Sequence, residues 1–429
     1  MKQTGTTILV LLAFNLAASQ ITIPIHKRIP QDDNESNSFL DDQDQIAVDK
    51  LINHSLEMYS GDVQLGNSNK KFTVDFDSGS NLLWLTMFQM QLKLRGTDSK
   101  IVMIALLKMV VLCMTNIPAQ VNYGGGASVK GHIARVPITI AGKGPVTESL
   151  LLVEKSVNNK GLQSDGLMGL GVYDENDPEK VSFVNKLFKQ GFIPKIQFSF
   201  YFGFGQSDSE LVIGGVNSNK LANHSQIYYH PIILNGQHND SQRWRFGFKS
   251  VSFGNQSVSL SSQNTGIVDS GTTLAYIRND VYKNWISYLK TVATLKAIPS
   301  GLDTFYSVKC GTTLPDLTFT LTDVNGVDRN YALPSSFYIL NQDDTCIIGI
   351  QGNQVDSDIQ FLLGDVFMRR FVSVFDYTNL QMGLSVSIAD PSTAPNQTLN
   401  KRKHHHAALA LGLVAIAGLI FITLRALRK

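Results

Sequence analysis

The chain is short of cysteine. Three occur in 429 residues, Cys113, Cys310 and Cys346, so at most one disulfide can form within the chain and one thiol is left over. An excess of either charge is missing too. Thirty-seven lysines and arginines stand against 35 aspartates and glutamates, a formal net charge of +2. The basic residues are scattered, which argues against nucleic acid as a partner. Helix-period runs are few. Stretches rich in Val, Ile, Phe and Thr alternate instead with Gly, Asn and Ser turns, the pattern of a mostly β protein. The length suits two domains or lobes rather than one core.

Two segments read as packing helices against that background. "VSFVNKLFKQG" puts Phe183, Val184, Leu187 and Phe188 on one face and stops at Gly191. "NDVYKNWISYLKTVA" puts Val281, Trp285, Leu289 and Val292 on one face, with Asn279 or Asp280 as the N-cap.

The ends carry the long apolar runs. Lys2, an apolar stretch from Ile8 to Ala18 and the small residues "AAS" form a secretory signal over 1–19. Ala407–Leu424 is long enough to span a bilayer, and the terminal Arg425, Arg428 and Lys429 argue against a GPI tail. The sequence therefore predicts a single-pass protein of the secretory pathway, with a cytosolic tail at 425–429 and its main body lumenal or extracellular. Six Asn-x-Ser/Thr triplets fit secretion: Asn34, Asn53, Asn223, Asn239, Asn255 and Asn396. Residues 20–50 read as a propeptide or acidic linker. Asp32–Asp49 holds seven carboxylates and no lysine or arginine, too polar to build a core, and Lys27-Arg28 offers a processing site. The remaining boundaries are an N-terminal lobe at 51–225, a C-terminal lobe at 226–390, a juxtamembrane linker at 391–406 and the span at 407–424.

An internal repeat carries the chemistry. "FDSGS" at 76–80 and "VDSGT" at 268–272 lie 192 residues apart. Each is followed about 90 residues later by two apolar residues and a glycine, "GLMGLG" around Gly169 and "FLLGDV" around Gly364. Two lobes, each giving one aspartate to a shared cleft, account for the pattern. Two carboxylates so placed cannot both ionise at low cost and keep one proton between them, an effect for which the aspartic proteases are the standard example. The charged one can take a proton from water while the neutral one donates to a carbonyl oxygen. Gly79 and Gly271 let the backbone turn tightly toward the carboxylates, and Ser80 and Thr272 can bond their outer oxygens.

These features together resemble the pepsin-like aspartic proteases, from about Tyr59 to Ser387. The resemblance implies a bilobal β fold with a central cleft, a monomer, a zymogen form, peptide or protein substrates and no cofactor or metal. It makes Asp77 and Asp269 the catalytic dyad. Ser78 and Ser270, where Thr is usual in the family, would tie the two loops together across the lobes. "YGGGASVKG" resembles the flap that closes over substrate, with Tyr123 and Gly124 at its tip and Trp84 as the tyrosine's partner. Leu167, in "SDGLMGLG", and Asp75 would line the substrate cleft. Asp75 shares a strand face with Asp77, where the family usually has an apolar residue lining the pocket for the side chain before the scissile bond. A carboxylate there could favour Lys or Arg; the alternative is a local hydrogen bond that tunes the dyad. A Cys310–Cys346 disulfide follows from the same likeness.

One interval departs from it. Residues 86–119 hold five of the ten methionines and one glycine, and "IVMIALLKMVVLCM" reads as a buried helix or partial membrane span. A reading-frame change, an insertion or a membrane-contacting segment would each account for it. The rival function is a non-catalytic peptide-binding protein on the same fold. A glycosidase could use two carboxylates but does not explain the doubled turns.

Overall fold

The computed structural model describes residues 18–27, 59–66, 70–87, 113–123, 127–157, 164–172, 181–204, 208–234, 243–261, 264–300, 303–342, 345–353, 359–393 and 421–422. Alternating apolar residues make its strands and fix their faces. The first ten are β1 (Ile21–Lys27), β2 (Tyr59–Leu65), β3 (Lys71–Asp77), β4 (Leu83–Thr86), β5 (Cys113–Asn122), β6 (Ser128–Ile140), β7 (Lys143–Val157), β8 (Gly166–Gly169), β9 (Gln197–Tyr201) and β10 (Ser209–Ile213). On β3, Phe72, Val74 and Phe76 lie in the main core, so Thr73, Asp75 and Asp77 point the other way.

The sequence repeat is a repeat of wiring. β3 runs parallel to β8, β8 antiparallel to β4, and β4 parallel to β7. In the second lobe Thr265–Val268 runs parallel to Phe361–Leu363, which is antiparallel to Ala275–Arg278, itself parallel to Ile350–Asn353. The glycines that close each repeat pass directly beneath the aspartate loops. A Cβ at Gly169 would lie 2.5 Å from the Ser80 carbonyl oxygen, and one at Gly364 2.0 Å from that of Thr272. No side chain fits either place, which is why each Asp-Ser-Gly is matched by a glycine further along.

One sheet of 14 strands joins the lobes. β9 pairs with Phe371–Asp376 of the second lobe and with β10, and β1 bridges β10 to β2. Residues 21–27, within the span read as propeptide or linker, are therefore a strand at the lobe junction, with Ile21, Ile23 and Ile25 buried. The acidic stretch that follows lies outside the described residues, as do residues 1–17 of the expected signal. At its far edge the sheet takes in Phe421–Ile422, paired with Asn122 and Val121 of β5. These two residues of the expected membrane span are thus extended and not helical; an open strand edge offers the backbone groups such a segment needs. The rest of 407–424 lies outside the described residues. Among the described residues no helix is long and apolar enough to cross a membrane.

Several local expectations need correction. Cys113 and Met114, at the end of the methionine-rich run, open β5 opposite Arg135 and Ala134. Pairing with β6 overrides the helical look of the local sequence; residues 88–112 lie outside the described set. The helix Phe183–Lys189 buries Phe183, Val184 and Leu187, but Phe188 is 40% exposed. The helix Asn279–Val292 buries Val281, Trp285 and Leu289, while Val292, its last residue, is 52% exposed. Its N-cap is Arg278, without a side-chain cap, so that Asn279 and Asp280 are its first two residues; the Arg278 guanidinium donates to Asp280 at 2.6 and 2.7 Å. Cys310 and Cys346 form a disulfide, Cα to Cα 5.2 Å. Asn223 and Asn255 are exposed; Asn34, Asn53, Asn239 and Asn396 lie outside the described residues.

Candidate active site

Asp77 ends β3 and Asp269 follows Thr265–Val268, so each carboxylate is delivered by the last turn of a core strand. Their surroundings are mirrored. The Gly79 amide donates to Asp77 Oδ1 at 2.8 Å, and the Ser80 hydroxyl donates to Oδ2. The Gly271 amide donates to Asp269 Oδ1 at 2.8 Å, and the Thr272 hydroxyl to Oδ2 at 2.6 Å. Each glycine also faces the other lobe's carboxylate. A Cβ on Gly79 would lie 2.5 Å from Asp269 Oδ1, and one on Gly271 2.6 Å from Asp77 Oδ1. Any larger residue would push into the pair.

The serines between the aspartates and glycines cross over. The Ser78 amide donates to Ser270 Oγ at 2.9 Å and the Ser270 amide to Ser78 Oγ at 3.0 Å. Each hydroxyl in turn donates to a carbonyl of the opposite strand, Ser78 to Val268 at 3.0 Å and Ser270 to Phe76 at 2.7 Å. Four buried bonds thus hold the two loops in register, and serine serves as well as threonine because only the hydroxyl is used.

Burial and the neighbouring Asp269 charge hold the Asp77 carboxyl well above the usual carboxylate range, against the opposing pull of its Ser80 and Gly79 hydrogen bonds. Asp77 and Asp269 are only 4% and 2% exposed, so water screens their repulsion little.

Tyr123 follows β5, and its amide bonds the Ala127 carbonyl at 2.7 Å, closing the β5–β6 hairpin. Gly124 lies outside the described residues. The Trp84 indole N–H donates to the Tyr123 hydroxyl, with the ring centroids 6.4 Å apart. Burial first, and Asp77 second, push the Tyr123 phenol up, so it stays protonated. Leu167 packs with Trp84 in a small apolar cluster that Tyr123 covers. Asp75 is 2% exposed and accepts a hydrogen bond from Ser164 Oγ at 2.5 Å.

Three residues at the site went unread in the sequence. Ser164 opens the recognised "SDGLMGLG", but its bond to Asp75 is not visible there. Trp244 Nε1 donates to the Leu170 carbonyl at 2.9 Å, and the Tyr377 hydroxyl reaches the Leu170 and Gly171 carbonyls at 3.1 and 3.0 Å. Both aromatics pin the loop after β8 from the second lobe.

The structure thus places two carboxylates in mirrored loops on two lobes of one topology. Residues 58–387 match the eukaryotic aspartyl protease family, and the chain belongs to it. It is 25% identical over 355 residues to Pepsin II-2/3 of Oryctolagus cuniculus, an alignment covering 80% of this chain and 84% of that protein. It is likewise 25% identical over 369 residues to Pepsin A of Canis lupus familiaris, covering 83% and 88%. The crystal structure of the aspartic proteinase from Irpex lacteus superposes with a TM-score of 0.62 at 20% identity, over 88% of this chain and all of that one; that likeness concerns the fold alone.

Proposed function

We propose that the chain is an aspartic endopeptidase, with Asp77 and Asp269 sharing one proton. The observation that carries this reading is the doubled hydrogen-bond set, which leaves two carboxylates facing one another across the lobes with matched donors behind each. Water between them loses a proton to the ionised carboxylate as its oxygen attacks the peptide carbonyl. The protonated carboxyl gives its proton to the carbonyl oxygen, forming a tetrahedral diol. Collapse of the diol breaks the C–N bond, and the amine leaves with a proton returned from the pair. Tyr123, held by Trp84, covers the apolar side of the cleft and helps exclude water.

The pair works only with one proton bound, so the optimum lies on the acid side and falls away as both carboxyls ionise. The leader expected at 1–19 supports a protein of the secretory pathway with a lumenal or extracellular catalytic body, in a lysosome-like compartment or at the surface. Peptide hydrolysis by the full chain in detergent, from about pH 3 to 7, tests the reading. A bell with an acid maximum is expected. Tight peptide binding without hydrolysis at any pH would favour the non-catalytic alternative.

A further inference from the structure

The four core strands of one lobe match those of the other, and a row of residues across them differs in polarity at both ends. In the first lobe a row of register partners runs Asp75, Leu167, Trp84, Leu151 across β3, β8, β4 and β7. In the second the equivalent row runs Ile267, Leu362, Tyr276, Gln351. Asp75 and Ile267 each stand two residues before their catalytic aspartate, on the same strand face as it. Ile267 sits in an apolar cluster with Leu274, Tyr276 and Leu362. Asp75 borders an equally apolar cluster containing Leu167 and Trp84, with Tyr123 packed against it. Ile267 therefore stands within a hydrocarbon wall, and Asp75 is a carboxylate at the edge of one.

We infer that Asp75 makes the first-lobe subsite selective for a lysine or arginine side chain, so that the preferred bond joins a basic residue to an apolar one held against Ile267. The inference rests on the peptidase reading above. A long basic side chain suits this place: its methylenes pack on Leu167 and the Tyr123–Trp84 pair, and its charge ends at the carboxylate. The Ser164 hydroxyl fixes Asp75 Oδ2 at 2.5 Å. That hydroxyl also lies 2.8 Å from the Gly166 carbonyl, so β8 holds the carboxylate in place.

The test uses two peptides differing only in lysine or norleucine before the scissile bond, which match in length but not in charge. The full chain and its Asp75→Asn variant are compared by kcat/KM on each, with melting curves on both proteins. Wild type should prefer lysine at least tenfold, about 1.4 kcal/mol, and Asp75→Asn should bring the ratio to one or below. An unchanged ratio in the variant, or a wild-type preference for norleucine, overturns the inference. Should neither peptide be cut, reduced-bond versions of both are measured by fluorescence anisotropy. A tenfold tighter lysine peptide, lost in Asp75→Asn, upholds the subsite while the peptidase reading fails; equal binding overturns both. Should Asp75→Asn melt early, Ser164→Ala is used instead. It keeps the charge but removes the hydroxyl that positions Asp75 Oδ2, and the lysine preference should then fall through a higher KM at unchanged kcat; no movement in either constant counts against the inference.

Discussion

Ser78→Ala tests how the two loops are held together. The change removes the hydroxyl that donates to the Val268 carbonyl and accepts from the Ser270 amide. Both groups belong to a buried interface, Ser78 and Ser270 being 1% and 0% exposed. A buried group left without its partner costs about 1–3 kcal/mol, so two such groups cost about 2–6 kcal/mol. Ser270→Ala removes the mirror pair, to Phe76 and from Ser78, and should cost a similar amount. The double variant should cost less than the sum by about 0.5–3 kcal/mol, because loops freed by the first change relax and expose groups the second would have stranded. Ser78→Thr keeps the hydroxyl and should stay close to wild type. Urea unfolding followed by tryptophan emission suits the measurement, since Trp84, Trp244 and Trp285 are all buried. A single variant within about 0.5 kcal/mol of wild type, the ordinary scatter of surface changes, would refute the reasoning. Strict additivity would refute the coupling.

Three further outcomes follow from the same geometry. Tyr123→Phe strands the indole N–H of Trp84, itself 2% exposed, and should lower kcat/KM roughly tenfold while leaving the dyad's pH profile in place; equal steady-state constants would remove Tyr123 from the site. The raised Asp77 carboxyl means that the native state keeps its proton to higher pH than the unfolded chain does. Stability from this group is therefore complete below the usual value of 3.8 and falls as pH rises toward the native value. Asp269→Asn removes the charge repulsion and leaves burial, so the urea midpoint should fall less steeply across that window; a steeper fall would contradict the assigned cause. Replacing Cys310 and Cys346 by Ala opens a loop of 36 residues and should cost about 3–4 kcal/mol on the chain-entropy account. A loss under 1 kcal/mol in the unfolding midpoint would show that the second lobe does not depend on the link.

How much of this could be read from the sequence depended on how local the cause was. Asp77, Asp269 and their glycines were legible because a tight turn against a carboxylate demands those residues within five positions. Gly169 and Gly364 were legible because close backbone approach admits nothing else. The Trp84–Tyr123 contact came from its family resemblance and spacing, and the hydrogen bond agrees. By contrast β1 was hidden: its three isoleucines bury themselves only because β10 and β2 lie on either side, and the acidic stretch after it suggested a segment without structure. Phe188 and Val292 failed because helical periodicity says nothing about where a short helix leaves the core. Trp244 and Tyr377 act on backbone carbonyls 74 and 207 residues away, a pairing that no local pattern encodes. Asp75 lay between: strand alternation gave its face, but its Ser164 partner needed the folded sheet.

The central claim is that the two lobes jointly supply one proton-sharing pair, and each aspartate tests it separately. Peptide hydrolysis at the acid optimum would be measured for wild type, Asp77→Asn and Asp269→Asn, with a melting curve on each. The account predicts that either change abolishes hydrolysis by a protein that still unfolds cooperatively. Hydrolysis that survives either change in a folded protein would contradict it.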